Sequence, residues 1–275
     1  MSHAERNRRQ ALRERAIGVF DSGIGGLTVV RQIVRLLPQE HVVYLGDTAR
    51  TPYGTKSPET IRRYALENAA FLLDKGVKLL VVACNSVSAV ALDLLQSQLR
   101  VPVVGVIEPG ARAAVAATRN RKVGVIGTEA TIASGAYTRA LKALDADLEI
   151  YTRACPLFVP LAEEGWVDND VARAAARRYL TSLKRSGIDT LVLGCTHYPL
   201  LSGVIGDVLG PGVALVDSAL TTAQEVRELL GARGLLRRGE PGSVSFFVTD
   251  VPDRFIKVGH LFMGQPVESA VRLER

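Results

Sequence analysis

The feature that most constrains the fold is a regular alternation of short apolar runs, rich in Val, Ile and Leu, with longer segments of helical spacing. Most of the runs are apolar without interruption, as expected for strands that helices cover on both faces. The alternation therefore predicts an α/β fold built on mainly parallel sheet. The predicted strands are Ile17–Phe20, Val42–Leu45, Leu79–Ala83, Val103–Ile107, Val123–Ile126, Leu148–Thr152, Thr190–Leu193, Ala214–Val216 and Ser243–Val248.

Two of the intervening segments carry helix start and stop signals. In one of them, Ser57 and Pro58 fit the N-cap and the first helical position, and Gly76 ends the helix. The segment DNDVARAAARRYLTSLKRSG repeats this pattern and ends at Gly187. We expect both segments to be helices that pack on the sheet.

Length and composition indicate a globular protein. The chain has 275 residues, 47% of them hydrophobic, which suffices for one large domain or two smaller ones. No apolar run approaches the roughly 20 residues that a membrane span needs, and the N-terminal segment lacks the apolar stretch of a signal peptide. We therefore expect a cytoplasmic protein without a membrane partner.

Half of the formal net charge of +6 lies at the N-terminus. Residues 1–15 contain five arginines and two glutamates, a net charge of +3. Such a charge run has little to pack against, so residues 1–15 are predicted to be a disordered, solvated tail. No zinc-finger, basic-zipper or aromatic RNA-binding motif accompanies the charge, and nucleic acid is not expected as a partner.

Two of the three cysteines lie in similar surroundings. LLVVACNSVSAV and TLVLGCTHYPLL each run from an apolar strand through a small residue to a cysteine, polar residues and a helix. This internal echo predicts two similar α/β halves, with Cys84 and Cys195 at the carboxyl ends of strands, where ligands bind in open α/β sheets. The following helix N-terminus favours the thiolate. Cys155 has apolar neighbours and is assigned to packing.

The cysteine spacing argues against disulfides and against a bound metal. Three cysteines without a short-spaced pair fit neither a disulfide framework nor a Cys-x-x-Cys site. Cys195 and His197 offer two metal ligands, but no compact second pair completes a tetrahedral site. A Cys–His nucleophile is an alternative, although it leaves Cys84 without a task. We expect neither a metal nor a cofactor.

Two further loops follow predicted strands. In VFDSGIGGLTVV, Asp21 and Ser22 follow the first strand, and a carboxylate at this strand tip can bind an ammonium group or assist a proton transfer. The glycines do not form a dinucleotide-binding fingerprint, because Thr28 stands at the third glycine position. The turn-rich loop YLGDTARTPYGTKS is predicted to form a wall or lid of the site.

The chain resembles the glutamate racemase family of cofactor-independent enzymes in seven ordered motifs. The motifs are VFDSGIGGLTV, YLGDTARTPYGTKS, VVACNSVSAV, EPG, GVIGTEATIASGAY, CPLFVPLAEEGW and LVLGCTHYPLL. The resemblance implies two pseudo-symmetric α/β lobes, residues 16–108 plus 218–275 and residues 109–217, with the active site in the cleft between them. It also implies that the protein interconverts L- and D-glutamate, supplies D-glutamate for peptidoglycan synthesis and can form a homodimer.

The resemblance implies an acid–base role for two cysteines. Cys84 and Cys195 correspond to the family's catalytic pair, which acts on opposite faces of the α-carbon. Asp21 is expected to assist Cys84, and His197 with Glu163 is expected to assist Cys195. For D- to L-glutamate, Cys84 removes the proton and Cys195 returns one, and the reverse reaction exchanges these tasks.

Further positions match the substrate-binding segments of the family. They are Asp21, Ser22, Tyr53, Gly54, Asn85, Ser86, Thr128, Thr131, Thr196 and His197. The family commonly has Thr in place of Ser86 and Ala in place of Val87, so this chain keeps the hydroxyl but adds bulk beside the first thiol. Glu164 is the alternative to Glu163 as the carboxylate near the second thiol.

Two alternatives to glutamate racemisation stay open. An aspartate or hydantoin racemase would use an equivalent thiol pair, although CNSVSAV, TPYGTKS and GCTHYPLL together favour glutamate. A non-catalytic small-anion-binding protein could also have this fold.

Overall fold

The computed structural model describes residues 3–274, without the side chains of residues 3, 4 and 8. The described residues form two parallel sheets connected by helices. The first sheet contains β1 (Ile17–Asp21), β2 (Val42–Gly46), β3 (Leu79–Val82), β4 (Val103–Gly105), β9 (Val244–Val248) and β10 (Val271–Arg272). The second sheet contains β5 (Lys122–Gly127), β6 (Glu149–Ala154), β7 (Thr190–Gly194) and β8 (Ala214–Asp217). The predicted α/β class with parallel sheets is confirmed.

Each sheet has a point where the direction of strand addition reverses. The strand order is β10-β9-β2-β1-β3-β4 in the first sheet and β6-β5-β7-β8 in the second. The chain moves from β1 to β2 and then crosses to β3 on the other side of β1, and it repeats this step from β5 to β6 and then to β7. The crevices between β1 and β3 and between β5 and β7 are therefore the expected ligand sites of the two sheets.

One helix precedes β1, and the others lie between successive strands. They are α1 (His3–Arg13), α2 (Leu27–Leu36), α3 (Pro58–Asp74), α4 (Asn85–Gln98), α5 (Ile107–Ala117), α6 (Glu129–Ala133), α7 (Ala136–Leu144), α8 (Phe158–Glu163), α9 (Asp170–Arg185), α10 (Ser202–Leu209), α11 (Ser218–Ala232) and α12 (Pro252–Met263). Short 3₁₀ turns span Tyr53–Thr55 and Tyr198–Leu201. None of the helices in residues 3–274 combines the length and the apolarity that crossing a bilayer requires.

The predicted helix boundaries are confirmed for α3 and α9. Ser57 caps α3 by accepting a hydrogen bond from the backbone N–H of Thr60. Gly76 and Gly187 follow the two helices with φ of 72°, a left-handed conformation that glycine adopts without a steric penalty.

Buried apolar side chains explain the continuously apolar strands. Val19 of β1 packs in a core cluster that also contains Val125 and Val192 of the second sheet. The next residue, Phe20, faces the other side of the first sheet and packs in a separate cluster with Val82. Both faces of β1 are therefore covered, and the core formed by the first face joins the two sheets.

The structure differs from the predicted disordered tail. Residues 3–13 form α1, and Arg9 and Arg13 donate hydrogen bonds to the carbonyl oxygens of Arg233 (3.0 Å) and Gly234 (2.8 Å). The end of α1 is also held by the buried Lys78, whose Nζ donates to the carbonyl of Arg13 at 2.6 Å. A charge run alone did not reveal these tertiary contacts. Residues 1 and 2 of the predicted tail lie outside the described residues.

Strand prediction fails in two places. The strand predicted over Val103–Ile107 ends at Gly105, because Ile107 already begins α5. The strand β10 was not predicted, because two residues are too few to show a strand pattern in the sequence. We still propose that the chain divides into the two predicted lobes, residues 16–108 plus 218–275 and residues 109–217. The chain passes between the two sheets at α5 and again at α11.

Candidate active site

The two crevices supply the residues of the candidate site from four strand ends. β1 ends at Asp21, and the neighbouring β3 leads into Cys84. In the second sheet, β5 leads into Thr128, and the neighbouring β7 leads directly into Cys195. The internal echo in the sequence thus corresponds to two crevices of the same construction.

Cys84 is a buried thiol next to a carboxylate. It precedes α4, is 5% exposed, and its Sγ lies 3.5 Å from Ser22 Oγ. Burial raises the pKa of Cys84 to about 12 and the charge of Asp21 adds to this, while hydrogen bonds from Ser22 and the Val87 backbone oppose it. The predicted preference for the thiolate is therefore not met at Cys84, because burial and Asp21 outweigh the helix N-terminus.

Cys195 belongs to a hydrogen-bonded series of three side chains. His197 Nδ1 lies 3.8 Å from Cys195 Sγ, and His197 Nε2 lies 3.1 Å from Glu163 Oε1. Burial lowers the pKa of His197, but the bonds to Cys195 and Glu163 outweigh burial and raise this pKa to about 10. The imidazole is therefore a cation at neutral pH, held between the thiol and the carboxylate.

The two crevices face each other at close range. A Cβ placed on Gly25, in the turn after β1, would lie 2.2 Å from Thr196 Oγ1 and 2.5 Å from His197 Nδ1. The Thr28 hydroxyl donates to the carbonyl of Thr196 at 3.3 Å. The turn after β1 and the segment after Cys195 are therefore in direct contact, and the two crevices meet in one cleft.

Three hydroxyl groups join the lobes beside the thiols. Ser86 Oγ of α4 lies 2.9 Å from Thr128 Oγ1 and 3.3 Å from Thr131 Oγ1, and the two threonine hydroxyls are 3.0 Å apart. A Cβ on Gly54 would lie 2.6 Å from Thr128 Cβ, so glycine allows the loop after β2 to reach this cluster. The cluster offers hydrogen-bond donors to a carboxylate.

Two buried polar atoms at the strand ends have no hydrogen-bond partner among residues 3–274. They are Oδ1 of Asp21 and Nδ2 of Asn85. Buried polar groups are nearly always hydrogen-bonded, so an unpaired acceptor and donor in the same crevice indicate groups reserved for a ligand. A carboxylate complements an ammonium group and an amide N–H complements a carboxylate, and an amino acid carries both.

The chain is similar in sequence to known racemases. A family model described as Asp/Glu/Hydantoin racemase matches residues 17–226. A glutamate racemase of Geobacter metallireducens is 61% identical over 251 residues, which cover 91% of this chain and 93% of that protein.

The chain belongs to the Asp/Glu/Hydantoin racemase family. The family predicted from the seven motifs is thereby confirmed, and the protein is an isomerase.

Solved structures of racemases have the same fold. Glutamate racemase of Thermus thermophilus, in complex with β-chloro-D-alanine, is 50% identical, with a TM-score of 0.87 and coverage of 95% of this chain and 98% of that chain. Glutamate racemase of Francisella tularensis, in complex with D-glutamate, is 39% identical, with a TM-score of 0.90 and coverage of 96% and 98%. The predicted two-lobed arrangement agrees with these structures.

Most of the residues predicted for the racemase site lie around the two crevices, but the hydroxyl of Tyr53 is used elsewhere. It donates to the buried carboxylate of Asp47 and accepts a hydrogen bond from Asn68 Nδ2 at 3.2 Å. Tyr53 is 1% exposed, so its side chain anchors the loop after β2. The Tyr53 hydroxyl, predicted to bind substrate, is therefore occupied by contacts within the loop and α3.

The structure distinguishes the two candidate glutamates. Glu163 contacts His197, whereas the side chain of Glu164 is 63% exposed and lies 3.6 Å from Arg254 Nη2. Val87, the position of added bulk, is fully buried and packs in the same core cluster as Cys84.

Sequence reasoning missed side chains from α7 and α12 that contact the racemase site. Tyr137 donates a hydrogen bond to Asn85, Arg254 Nη2 lies 3.5 Å from Glu163 Oε2, and Phe262 packs edge-on against His197 with 5.1 Å between ring centres. The motif ending in SGAY contained Tyr137, but its role depends on a contact between lobes that no local pattern reports.

Metal ligands do not gather in the part of the chain that the structure describes. His, Cys, Asp and Glu side chains of residues 3–274 form no cluster of three or more that could hold an ion.

Gly25→Ala is expected to lower racemase activity by about 10²-fold, because the added Cβ would overlap Thr196 and His197 and displace the second crevice. Gly203→Ala on α10 is the matched control, since a Cβ there meets nothing within 4 Å. Activity and thermal unfolding are measured for both variants. Activity of Gly25→Ala equal to that of the unmodified protein would mean that the close approach of the crevices is not required.

Proposed function

We propose that this racemase interconverts L- and D-glutamate without a cofactor, and that Cys84 and Cys195 exchange the α-proton on opposite faces of the substrate. The observation that carries the proposal is that the crevices ending in Cys84 and Cys195, which belong to two different sheets, meet where Gly25 approaches Thr196 and His197. The relatives from Geobacter metallireducens, Thermus thermophilus and Francisella tularensis are all named glutamate racemase. These names support glutamate over the alternatives.

Two acid–base groups solve the stereochemical problem of racemisation. A single base would return the proton to the face from which it came. With one group on each face, one thiolate breaks the C–H bond while the opposite thiol supplies the proton for the new bond. A free cysteine has a pKa of about 8.5, so both protonation states are accessible with moderate tuning.

The high pKa of Cys84 keeps it protonated at neutral pH. We therefore assign the role of base toward L-glutamate to Cys195, whose Sγ lies 3.8 Å from Nδ1 of His197. In this state Cys195 removes the proton of L-glutamate and Cys84 supplies one from the other face. For D-glutamate the two groups start in exchanged protonation states, with Asp21 assisting the deprotonation of Cys84.

The charged groups of an amino acid fit the unpaired atoms of the site. Oδ1 of Asp21 accepts from the substrate ammonium, and Nδ2 of Asn85 donates to a carboxylate. Ser22, Thr196 and the hydroxyl cluster of Ser86, Thr128 and Thr131 supply the remaining hydrogen bonds. Because these donors are fixed before the proton leaves, they stabilise the negative charge that develops as the C–H bond breaks.

The wider setting of the reaction follows from the resemblance to glutamate racemases. We propose that the enzyme is cytoplasmic, supplies D-glutamate for peptidoglycan synthesis and forms a homodimer. Light scattering on the purified protein measures the mass directly: about twice the 29.6 kDa of the chain supports the dimer, and a mass equal to that of the chain contradicts it.

Incubation with L-glutamate in heavy water tests the proposed function. We expect the optical rotation to fall to zero and deuterium to appear at the α-carbon of the D-glutamate formed, because the proton on the product face comes from a solvent-exchanged thiol. Early in the reaction, the remaining L-glutamate should contain little deuterium. A small-anion-binding protein would change neither the rotation nor the isotope content.

A substrate panel tests the choice of amino acid. L-aspartate and a substituted hydantoin are compared with L-glutamate by kcat/KM, the quantity that measures discrimination between substrates. Glutamate is expected to be the best of the three. Faster turnover of aspartate or hydantoin would overturn glutamate as the substrate while leaving the two-thiol chemistry in place.

A further inference from the structure

Tyr137 is a buried residue at the junction of the two lobes. It belongs to α7, which follows the second sheet's β5, and is 2% exposed. A Cβ on Gly194, the residue before Cys195, would lie 3.0 Å from the ring, and a Cβ on Gly110 of α5 would lie 3.4 Å from the hydroxyl. The ring therefore packs against the strand end that presents the second thiol.

The Tyr137 hydroxyl contacts a side chain of the other lobe. It donates a hydrogen bond of 2.7 Å to Oδ1 of Asn85, the first residue of α4 after Cys84. Asn85 is 3% exposed, and its Nδ2 is the unpaired donor described above. Because the amide oxygen is occupied by Tyr137, the amide NH₂ group is turned away from Tyr137 with both of its protons free.

Ser218 lies beside the Tyr137 hydroxyl. It is the first residue of α11, where the chain returns toward the first sheet, and it is 4% exposed. A Cβ on Gly110 would lie 3.3 Å from Ser218 Cβ and 3.4 Å from the Tyr137 hydroxyl. The Tyr137 hydroxyl has one proton and donates it to Asn85 Oδ1. A flipped Asn85 amide would place its NH₂ group against this O–H donor.

We propose that Tyr137 is a positioning residue that locks the Asn85 amide with its NH₂ group directed at the carboxylate of the amino-acid substrate. The inference rests on the proposed function for the identity of the substrate, but the orientation rests on the hydrogen bond from Tyr137 to Asn85 and on the unpaired Nδ2 of Asn85. The lock joins the lobes, since Tyr137 and Asn85 follow strands of different sheets. The donor is thus aligned for the substrate when the lobes are in contact.

A double-mutant cycle on the full chain tests the lock. Tyr137→Phe keeps the ring and removes the hydroxyl, so the Asn85 amide is no longer held toward the substrate carboxylate. We expect kcat/KM for L-glutamate to fall about 10-fold, the loss typical of one hydrogen bond to a charged group. In the Asn85→Ala background the same change is expected to have no further effect, because the amide to be positioned is absent. Tyr179→Phe is the control, since Tyr179 lies on α9 and its hydroxyl accepts a hydrogen bond from the backbone N–H of Leu157, away from Asn85 in the sequence and in the other sheet's lobe.

The cycle separates positioning from support of the fold. If Tyr137→Phe lowers kcat/KM equally with and without Asn85, Tyr137 acts through general packing and the proposal is overturned. Thermal unfolding of all four proteins identifies any variant that fails to fold. Tyr137→Trp cannot take the place of Tyr137→Phe, because it changes the ring as well as the hydroxyl.

If no racemisation occurs, the same cycle is measured through the affinity for L-glutamate, determined by calorimetry. Affinity that falls in Tyr137→Phe but not in the Asn85→Ala background supports the lock even then. Loss of the proposed function appears as absent turnover in the unmodified protein, whereas loss of the lock appears as additive effects of the two substitutions. The two failures are therefore distinguishable.

Discussion

Replacing either Cys84 or Cys195 by serine is expected to lower the rate of racemisation by about 10²–10⁴-fold, the usual contribution of a positioned acid or base. Serine preserves the shape of the side chain, but its hydroxyl is a far weaker acid than a thiol and does not supply a base at neutral pH. The rate is measured in both directions by polarimetry. Because L- and D-glutamate are mirror images, their equilibrium constant is 1, so kcat/KM must fall equally in both directions for each variant.

Isotope exchange then tells the two cysteines apart. Cys84→Ser retains Cys195, so in heavy water it is expected to exchange the α-proton of L-glutamate slowly without inversion, and Cys195→Ser is expected to do so with D-glutamate. Cys155→Ala is the matched control: Cys155 is also a buried free thiol, but it follows the edge strand β6, and its Sγ donates to the carbonyl of Arg153 at 3.7 Å. Unchanged racemisation in either serine variant would contradict the two-thiol mechanism, and exchange of the opposite enantiomers would reverse the assigned faces.

His197→Asn is expected to lower kcat/KM by about 10²-fold, because it removes the cation that stabilises negative charge on Cys195. The pKa of His197 is about 10, so activity of the unmodified enzyme should decline as pH rises through about 10 and the ring loses its proton. Asparagine does not titrate, and the variant should lack this decline. The pH profile of kcat/KM measures both effects.

Glu163→Gln tests the contact between Glu163 and His197. The carboxylate of Glu163 raises the pKa of His197, so its removal is expected to move the alkaline decline to lower pH. Glu164→Gln is the control, since the exposed Glu164 lies beside Arg254. If the alkaline decline in activity occurs at the same pH in Glu163→Gln, or moves to another pH in Glu164→Gln, Glu163 is not the carboxylate that raises the pKa of His197.

The raised pKa of His197 also affects stability. In the unfolded chain a histidine has a pKa of about 6.5, so the folded protein binds the proton more tightly. The resulting stabilisation is fully present below about pH 6.5 and is lost as pH rises through about 10.

Features of the molecule that depend on local pattern were predictable from the sequence. Continuously apolar runs predicted β1 and β7, since strands covered on both faces need apolar residues at every position. Ser57 and Gly76 bounded α3 for the same local reason. The placement of Asp21 and Cys195 at strand ends followed from their position after these runs.

Features that depend on contact between distant segments were not predictable in this way. α1 is fixed by carbonyl groups more than 200 residues away, and the arginines that make those contacts look like any solvated charge run. The hydrogen bond from Tyr137 to Asn85 and the approach of Gly25 to His197 depend on how the two sheets face each other. The high pKa of Cys84 arises from burial, which outweighs the sequence signal of a following helix.

The position of β9 in the first sheet affects how the protein can be synthesised. β9 pairs with β2 in parallel register, yet it is made only after the whole second sheet. Until the ribosome has released residues 244–248, β2 has an open edge whose backbone groups can pair with another nascent chain. The first sheet is therefore the last to be completed, and a chain that stalls after β8 leaves an aggregation-prone intermediate rather than a finished half of the enzyme.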